Sequence, residues 1–512
     1  MARLEATQAP PGPGAVRTPA DRWVPWALAG VVAALYATFA VLQWRLLESP
    51  SWDLGIFTQL AQAYAHGRAP IVTIKGEGFN LLGDHFHPLL VVLGPAYRLF
   101  PSGLTLLVLQ ALLLGLSVAP VAAVAREHLG RRRGTVLGVA YGLSWGLQGA
   151  VAAQFHEIAL AVPLLAWSLA AFVRRRWWAC AAWAAPLVFV KEDLGLTVAV
   201  LGLVIAWRGG ADPAPPGAPA GAVGPRRLGL GLATWGLAWV VLAIGVILPA
   251  LNPQGRWDYT GRLGSGESGG LLDLLLGAFV PAEKYLTLLL LVGVAGVVGL
   301  RSPLAWLAVP TLAWRFLGNV EYYWGWQWHY SAILMPVAAL ALVDAVTARS
   351  RALGTETVRA AGPPPSPGRA GEARRPGRLA WPTTATLAVA VSLATTLVML
   401  PSLPLTRLAD PATWRLPARH DAAMGALAAV APGATVETDI YLMAYLVPRA
   451  QVYWVGNPGN PAPDFVELDS WRRTWPDRDI TDAAAFAEER HPGTDYRLVY
   501  DAEGYQVAQR VR

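Results

Sequence analysis

Long apolar runs joined by short polar connections dominate the chain, and their spacing predicts helices that cross a membrane. A crossing helix needs about 20 apolar residues, with about 17 to 25 tolerated. By that measure the runs lie near 23–47, 103–125, 135–153, 157–173, 177–190, 193–207, 228–250, 285–300, 303–318, 330–347 and 381–401. They predict an all-α polytopic membrane bundle of about eleven transmembrane helices, several of them short and borrowing flanking residues. Residues 87–100, HPLLVVLGPAYRLF, are apolar too, but the stretch holds two prolines and reaches only about two-thirds of the crossing length.

Sidedness turns on that segment. If it crosses, Arg131, Arg132 and Arg133 fall outside while Arg3, Arg17 and Arg22 stay inside, against the bias of basic residues toward the cytoplasm. Laid along the interface, it leaves Arg131 to Arg133, Arg174 to Arg176, Arg208 with Arg226 and Arg227, Arg301, and the Arg-rich stretch 349–378 all cytoplasmic. Residues 87–100 are therefore expected to form a juxtamembrane helix on the outer surface. The resulting division is a disordered cytoplasmic tail (1–22), a membrane domain (23–401) with an outer loop at 48–102 and cytoplasmic linkers at 208–227 and 348–380, and a small extracytoplasmic α/β domain (402–512). In that last domain AAMGALAAVA reads as a helix, and ATVETD, AQVYWVG, DFVELD, YRLVYD and YQVAQR read as strands.

Composition agrees with the pattern. At 54% hydrophobic, 15% charged and mean hydropathy +0.39, the 512-residue chain lies outside the range of ordinary soluble domains. Trp23, Trp26, Trp44, Trp177, Trp178, Trp207 and Trp381 flank apolar runs as interfacial anchors. The net charge of +7 sits in clusters between those runs, which is membrane topology and not a nucleic-acid footprint. One cysteine, Cys180, allows neither an intramolecular disulfide nor a thiolate metal cluster. No cleavable signal pattern precedes the first run, which is expected to stay as a membrane helix.

The candidate chemistry gathers in the expected outer connections: Trp52-Asp53-Leu54-Gly55, Asp84-His85-Phe86-His87, His156-Glu157, Lys191-Glu192-Asp193, the Trp257-to-Arg262 loop, and Trp328-His329-Tyr330. His85, His87, His156 and His329 make up four of the eight histidines, whereas the inner connections carry chiefly arginine and proline. Two of the turns, at His156-Glu157 and 191–193, fall where apolar runs almost touch, so their charges must face a wet cavity or each other. Plainer readings compete. Asp53 could cap the next helix, 191–193 could be a self-neutralised turn with Asp193 as cap, His156-Glu157 a turn pair, Gly83-Asp84-His85 a plain turn, and Trp328 part of an interfacial belt.

A carboxylate near neutrality can serve as general base toward a hydroxyl, and Lys or Arg can hold a phosphate leaving group. Carboxylates with a histidine could alternatively hold a divalent cation. Spacing leaves both open: the acids are scattered, no compact metal motif exists, and no Walker loop, dinucleotide fingerprint, HExxH or GxSxG occurs.

The blocks WDLGIFTQLAQAYAHGR, FNLLGDHFHPLLVVLGPAYRLFP, FHEIALAVPL, KEDLGL and WQWHYSAILMP resemble an uncharacterised family of polytopic bacterial membrane proteins, a domain of unknown function similar in architecture to GT-C glycosyltransferases. The resemblance covers about 300 residues of the membrane part, and the DFVELDS run is similar to the family's C-terminal region. Where the family often has an acid before Phe155-His156, this chain has Gln154, which takes a ligand away from that turn. The resemblance implies a GT-C-like fold, location in the bacterial inner membrane, a polyprenyl-phosphate-linked sugar as donor, and an envelope glycan, lipid or protein as acceptor at the outer face. Asp53 matches the acidic catalytic position of the first outer loop. Asp84 and His85 would support it, Lys191 would meet the donor phosphate, and Glu192 with Asp193 would orient it or help bind a cation. His87, His156, Glu157, Arg262, Trp328, His329 and Tyr330 complete the expected substrate-binding set. A transporter or flippase of a lipid-linked envelope molecule, and a non-catalytic scaffold, are the alternatives. The first predicts polar groups at mid-membrane and broken helices in paired halves; the second predicts that the loop acids can be changed to alanine without effect.

Overall fold

The computed structural model describes residues 19–210, 223–257, 259–262, 277, 279–360, 380–472 and 479–511. Most of the expected N-terminal tail, the middles of both expected linkers (211–222 and 361–379) and Asp258 lie outside them.

Helices occupy the apolar runs. In chain order they are α1 (Pro19–Arg45), α2 (Trp52–Ala65), α3 (Leu93–Leu99), α4 (Gly103–Leu129), α5 (Arg131–Gly142), α6 (Trp145–Ala152), α7 (Ile158–Val173), α8 (Trp177–Ala184), α9 (Leu194–Gly209), α10 (Pro225–Leu242) and α11 (Leu248–Leu251). There follow α12 (Glu283–Val294), α13 (Ala308–Leu317), α14 (Glu321–Trp324), α15 (Leu334–Ala360), α16 (Ala380–Met399), α17 (His420–Ala429), α18 (Met443–Leu446) and α19 (Ala483–Arg490). Among the described residues four helical stretches are long and apolar enough to cross a membrane: 22–45, 103–129, 225–251 and 384–402. A fifth arises if 321–331 and 334–352, bent by 68°, count as one crossing. Length and composition alone thus fall short of eleven, because several runs are broken: α5 ends at Gly142 before α6 begins, and α8 passes into a 3-10 stretch at Ala185–Phe189. The segment Pro88–Leu99 is short as well, and lies against α2, where Gly94 is too close to the Tyr64 backbone to admit a side chain.

In the bundle α4 runs along α1 and also meets α5, α7 and α15. Against α10, α9 packs backbone to backbone: a Cβ at Gly202 would sit 2.4 Å from Ala233 N, and one at Gly236 would sit 2.4 Å from Gly195 O. In lipid, apolar side chains gain little by association, so small residues and close backbone contact hold helix pairs together. Gly202→Val is accordingly expected to push α9 and α10 apart and cost about 1–3 kcal/mol. Cys180, the single cysteine and buried, makes the measurement direct: its reaction with a maleimide dye on heating should begin at a lower temperature in the variant. An unchanged onset would show that the pair is not held by this contact.

The two ends of the bundle differ chemically. At one end Arg174 pairs with Glu127 at 2.9 Å, and Asp344 receives Ser302 at 2.7 Å and Arg208 at 3.4 Å. At the other end the chain forms a second core in which Leu54, Phe57, Leu60 and Ile74 of the first loop pack with Val436, Met443, Val452 and Phe465. The latter four belong to a C-terminal α/β unit. Its five strands, β1 (Thr435–Thr438), β2 (Gln451–Trp454), β3 (Phe465–Asp469), β4 (Asp495–Ala502) and β5 (Tyr505–Val511), coincide with the five expected runs. Their order is β2-β1-β3-β5-β4, with β1, β2 and β3 parallel and β5 antiparallel to its neighbours.

Polar and stacking contacts hold this unit to α1, α2 and the stretch after α2. Gln59 Nε2 donates to Val452 O at 2.9 Å, Asn457 Nδ2 donates to Ile74 O at 2.7 Å, and the Tyr445 ring stacks on Trp44 at 3.8 Å. The C-terminal unit and the first loop therefore share one end of the bundle.

Candidate functional site

At that same end four connections meet. Ser51 starts α2 by accepting from Leu54 N at 3.1 Å, so Asp53 in the first turn is not needed as the cap. Its side chain, 48% exposed, lies with Oδ2 3.4 Å from His156 Nε2. The His156 turn is pinned by Gln110 of α4, which donates to Ala150 O and Gln154 O at 2.9 and 2.7 Å and accepts from His156 N at 3.1 Å. Gln154 turns the chain there at φ 71°. Burial works against a charged His156, but the Asp53 carboxylate outweighs it and raises the imidazole above its ordinary value. The ring of His329 stacks on His156 at 3.5 Å, and burial together with the charge of His156 holds the His329 imidazole well below its ordinary value, so the two are not imidazolium together.

The turns ahead of α7 and α9 interlock. Lys191 Nζ is 2.8 Å from Glu157 Oε1, and this buried pair holds itself ionised: burial opposes each charge, yet Glu157 lies well below the usual carboxylate range and Lys191 is raised. Glu192 reaches a different partner, with Oε1 2.7 Å from His85 Nδ1 and Oε2 accepting from Phe86 N at 3.0 Å. Burial alone would lower His85 and raise Glu192; their attraction reverses both shifts. Asp84, lowered against its burial by His85 and Lys75, accepts from Lys75 Nζ at 3.1 Å and Tyr259 OH at 3.2 Å.

These contacts remove two of the plainer readings. The 191–193 turn is not self-neutralised, since neighbouring side chains point apart and find partners on other segments. Asp193 does not cap α9: it makes no capping bond, and its buried Oδ1 has no hydrogen-bond partner. Burial pushes its carboxyl up to about 6. Lys191, expected to meet a phosphate, is instead committed to Glu157.

Beside Asp193 a narrow, partly enclosed cleft is lined by Glu157, Lys191, Thr311, Trp314, His329 and Tyr330. His329 and Tyr330 thus belong to it, whereas Trp328 is largely exposed and packs on Tyr322. Arg262 lies outside the cleft, exposed, donating to Tyr323 OH at 3.0 Å and lying over the Tyr259 ring. His87 is buried against Phe57, and burial lowers its imidazole to about 4, so it is neutral there.

A divalent ion does not suit this donor set. Asp84 and Glu157 each face a lysine, Asp53 and Glu192 each face an imidazole, and among the described residues no three His, Cys, Asp or Glu side chains form a metal-binding group.

Lys75, Thr311, Trp314 and Arg315 escaped the sequence reading, which singled out the loop of Tyr259 but gave that residue no role. Arg315 carried a signal, as a lone arginine within an apolar run. Fully buried, it donates to Tyr323 O at 2.7 Å, Gly325 O at 2.9 Å and Ser331 Oγ at 3.0 Å, tying α13 to the segment that delivers His329 and Tyr330.

No curated protein matches the chain. Among solved structures, ArnT from Cupriavidus metallidurans in the apo state is similar over 94% of this chain and 98% of its own, at 16% identity and TM-score 0.42. The Archaeoglobus fulgidus oligosaccharyltransferase tethered with an acceptor peptide is similar over 94% of this chain and 69% of its own, at 12% identity and TM-score 0.39. Residues 43–507 match the family described as "Predicted membrane protein (DUF2079)". With a match over most of its length, the chain belongs to the DUF2079 family of membrane proteins.

Proposed function

We propose that this protein is a GT-C-like glycosyltransferase of the bacterial inner membrane that moves a sugar from a polyprenyl-phosphate donor to an envelope acceptor on the outer face. In this reading the eleven apolar runs are the crossings, the N-terminus is cytoplasmic, and the loop at 48–102 and the C-terminal unit are extracytoplasmic. The observation that carries it is Asp53: a half-exposed carboxylate at the lip of a cleft, backed by the stacked His156 and His329.

Asp53 takes the proton of an acceptor hydroxyl as that oxygen bonds to the anomeric carbon. The bond from that carbon to the phosphate oxygen breaks, and the lipid phosphate leaves with the bonding pair. His156 holds Asp53 in place. Arg262, an exposed cation set between the phenols of Tyr323 and Tyr259, meets the departing phosphate. The Glu192–His85 and Asp84–Lys75 pairs brace the loop, and the C-terminal unit, bonded to α2, presents the acceptor to Asp53.

Asp53→Asn keeps shape and loses basicity. Transfer of label from polyprenyl-phosphate sugars in membranes should fall by about 10²–10⁴-fold, with the onset of Cys180 labelling unchanged. Equal transfer by folded wild type and variant would remove Asp53 from the chemistry.

A further inference from the structure

We propose that the cleft between the 191–193 turn, α13 and His329-Tyr330 receives the hydroxyl-bearing edge of a neutral sugar ring. The inference rests on the transferase reading for its context, and on three features of the cleft for its content.

Unpartnered atoms come first. Asp193 Oδ1, Trp314 Nε1 and His329 Nδ1 are buried without hydrogen-bond partners, and all three residues line the cleft. Such groups are costly to leave unmade. They are of mixed kind: the indole N–H only donates, the carboxylate only accepts, and the imidazole nitrogen does either according to its tautomer. A hydroxyl both donates and accepts, so adjacent hydroxyls of one ring satisfy such a set. A phosphate oxygen only accepts, and Asp193 would repel it.

Charge makes the same selection. Of the two carboxylates that line the cleft, Glu157 is paired with Lys191, and Asp193 keeps a buried oxygen without a partner. The one lysine of the lining is thereby committed, and no unpaired ammonium or guanidinium among the lining residues is left for an incoming anion. An anionic group inserted there would be a buried, uncompensated charge.

Shape completes the argument. The Trp314 and Tyr330 rings meet at 80° with centroids 5.8 Å apart, making an apolar corner for the C–H groups of a ring. The cleft is narrow, so it takes an edge and not the whole sugar.

The test is saturation-transfer NMR on the full chain in lipid nanodiscs, with the methyl pyranosides of glucose, galactose, mannose and arabinose, and with methyl phosphate. At least one pyranoside should show transfer, displaced little by methyl phosphate. Trp314→Phe, which removes the N–H with its five-membered ring but keeps an aromatic wall, and Asp193→Asn should each weaken it about fivefold to tenfold, while Arg174→Gln, at the opposite end of the bundle, should keep it. No pyranoside signal, signals unchanged in both cleft variants, or preferential binding of methyl phosphate would each overturn the inference. The transferase reading fails separately. Sugar binding without transfer from any lipid donor would leave the cleft standing and remove the enzyme; transfer with kcat and KM unmoved by the cleft variants would do the reverse.

Discussion

Lys191→Met should destabilise the protein by about 3–5 kcal/mol, the cost of stranding one partner of a buried ion pair. Its ammonium is 2.8 Å from a Glu157 carboxylate that is almost fully buried, and methionine fills a similar volume without the charge. Left alone, Glu157 must take up a proton or draw water into the connection, and either change loosens the start of α7. Glu157→Gln in the same chain removes the stranded charge, so the double variant should recover most of the loss. The onset of Cys180 labelling on heating reads both effects: early for Lys191→Met, close to wild type for the pair. A single variant as stable as the wild type would mean that Glu157 is not held by Lys191, and that the interlocked turns do not organise the site.

That interlock shows what sequence conveys and what it does not. The apolar runs, the five strands of the C-terminal unit and the gathering of acids and imidazoles in a few connections are local patterns, and each is visible in a window of a few residues. Pairings are not local. Nothing near Lys191 indicates that its partner is Glu157, while adjacent Glu192 turns to His85. Asp84 stood out because it is an acid beside a histidine; of the two groups that hold it, Lys75 lies in a stretch without a recognisable motif, and the loop of Tyr259 stood out with no sign of its partner. Arg315 was legible in principle, since a lone arginine in an apolar run has to find acceptors, but these are backbone carbonyls, and no side-chain pattern announces a carbonyl. Length counts four or five crossings among the described residues for a related reason: α5 with α6, and α8 with its 3-10 extension, are broken, and there Tyr36 OH donates to Gly142 O and Trp235 Nε1 to Ala185 O.

Docking of the C-terminal unit onto α2 gives these pairings a mechanical sense. A helix of 14 residues carrying Asp53 in its first turn has Gln59 bonded to β2 and Gly55 pressed against Met443. From the other side, His156 is fixed through Gln110 of α4. Asp53 is thereby held from two sides while keeping its exposure, as the proposed meeting with an acceptor requires.

Asp193→Asn should separate stability from function. The carboxyl titrates near 6 in the folded protein against an ordinary 3.8, so between these values the folded state binds more protons than the unfolded one, and stability falls as pH rises. The cost is absent below about pH 4 and fully present above about pH 6. That interval corresponds to about 3 kcal/mol, reduced to about 2 kcal/mol by water at the cleft mouth. Asparagine cannot ionise, so the variant should be the more stable of the two at pH 7.5 by roughly that amount and should converge with wild type near pH 4. Cys180 labelling across this pH range measures the difference. A residue kept for packing would behave in the opposite way, since its replacement lowers stability at every pH. Greater stability at neutral pH joined to weaker sugar binding is what a charge retained for a ligand produces; uniform destabilisation would place Asp193 among the structural groups and leave the cleft without its acceptor.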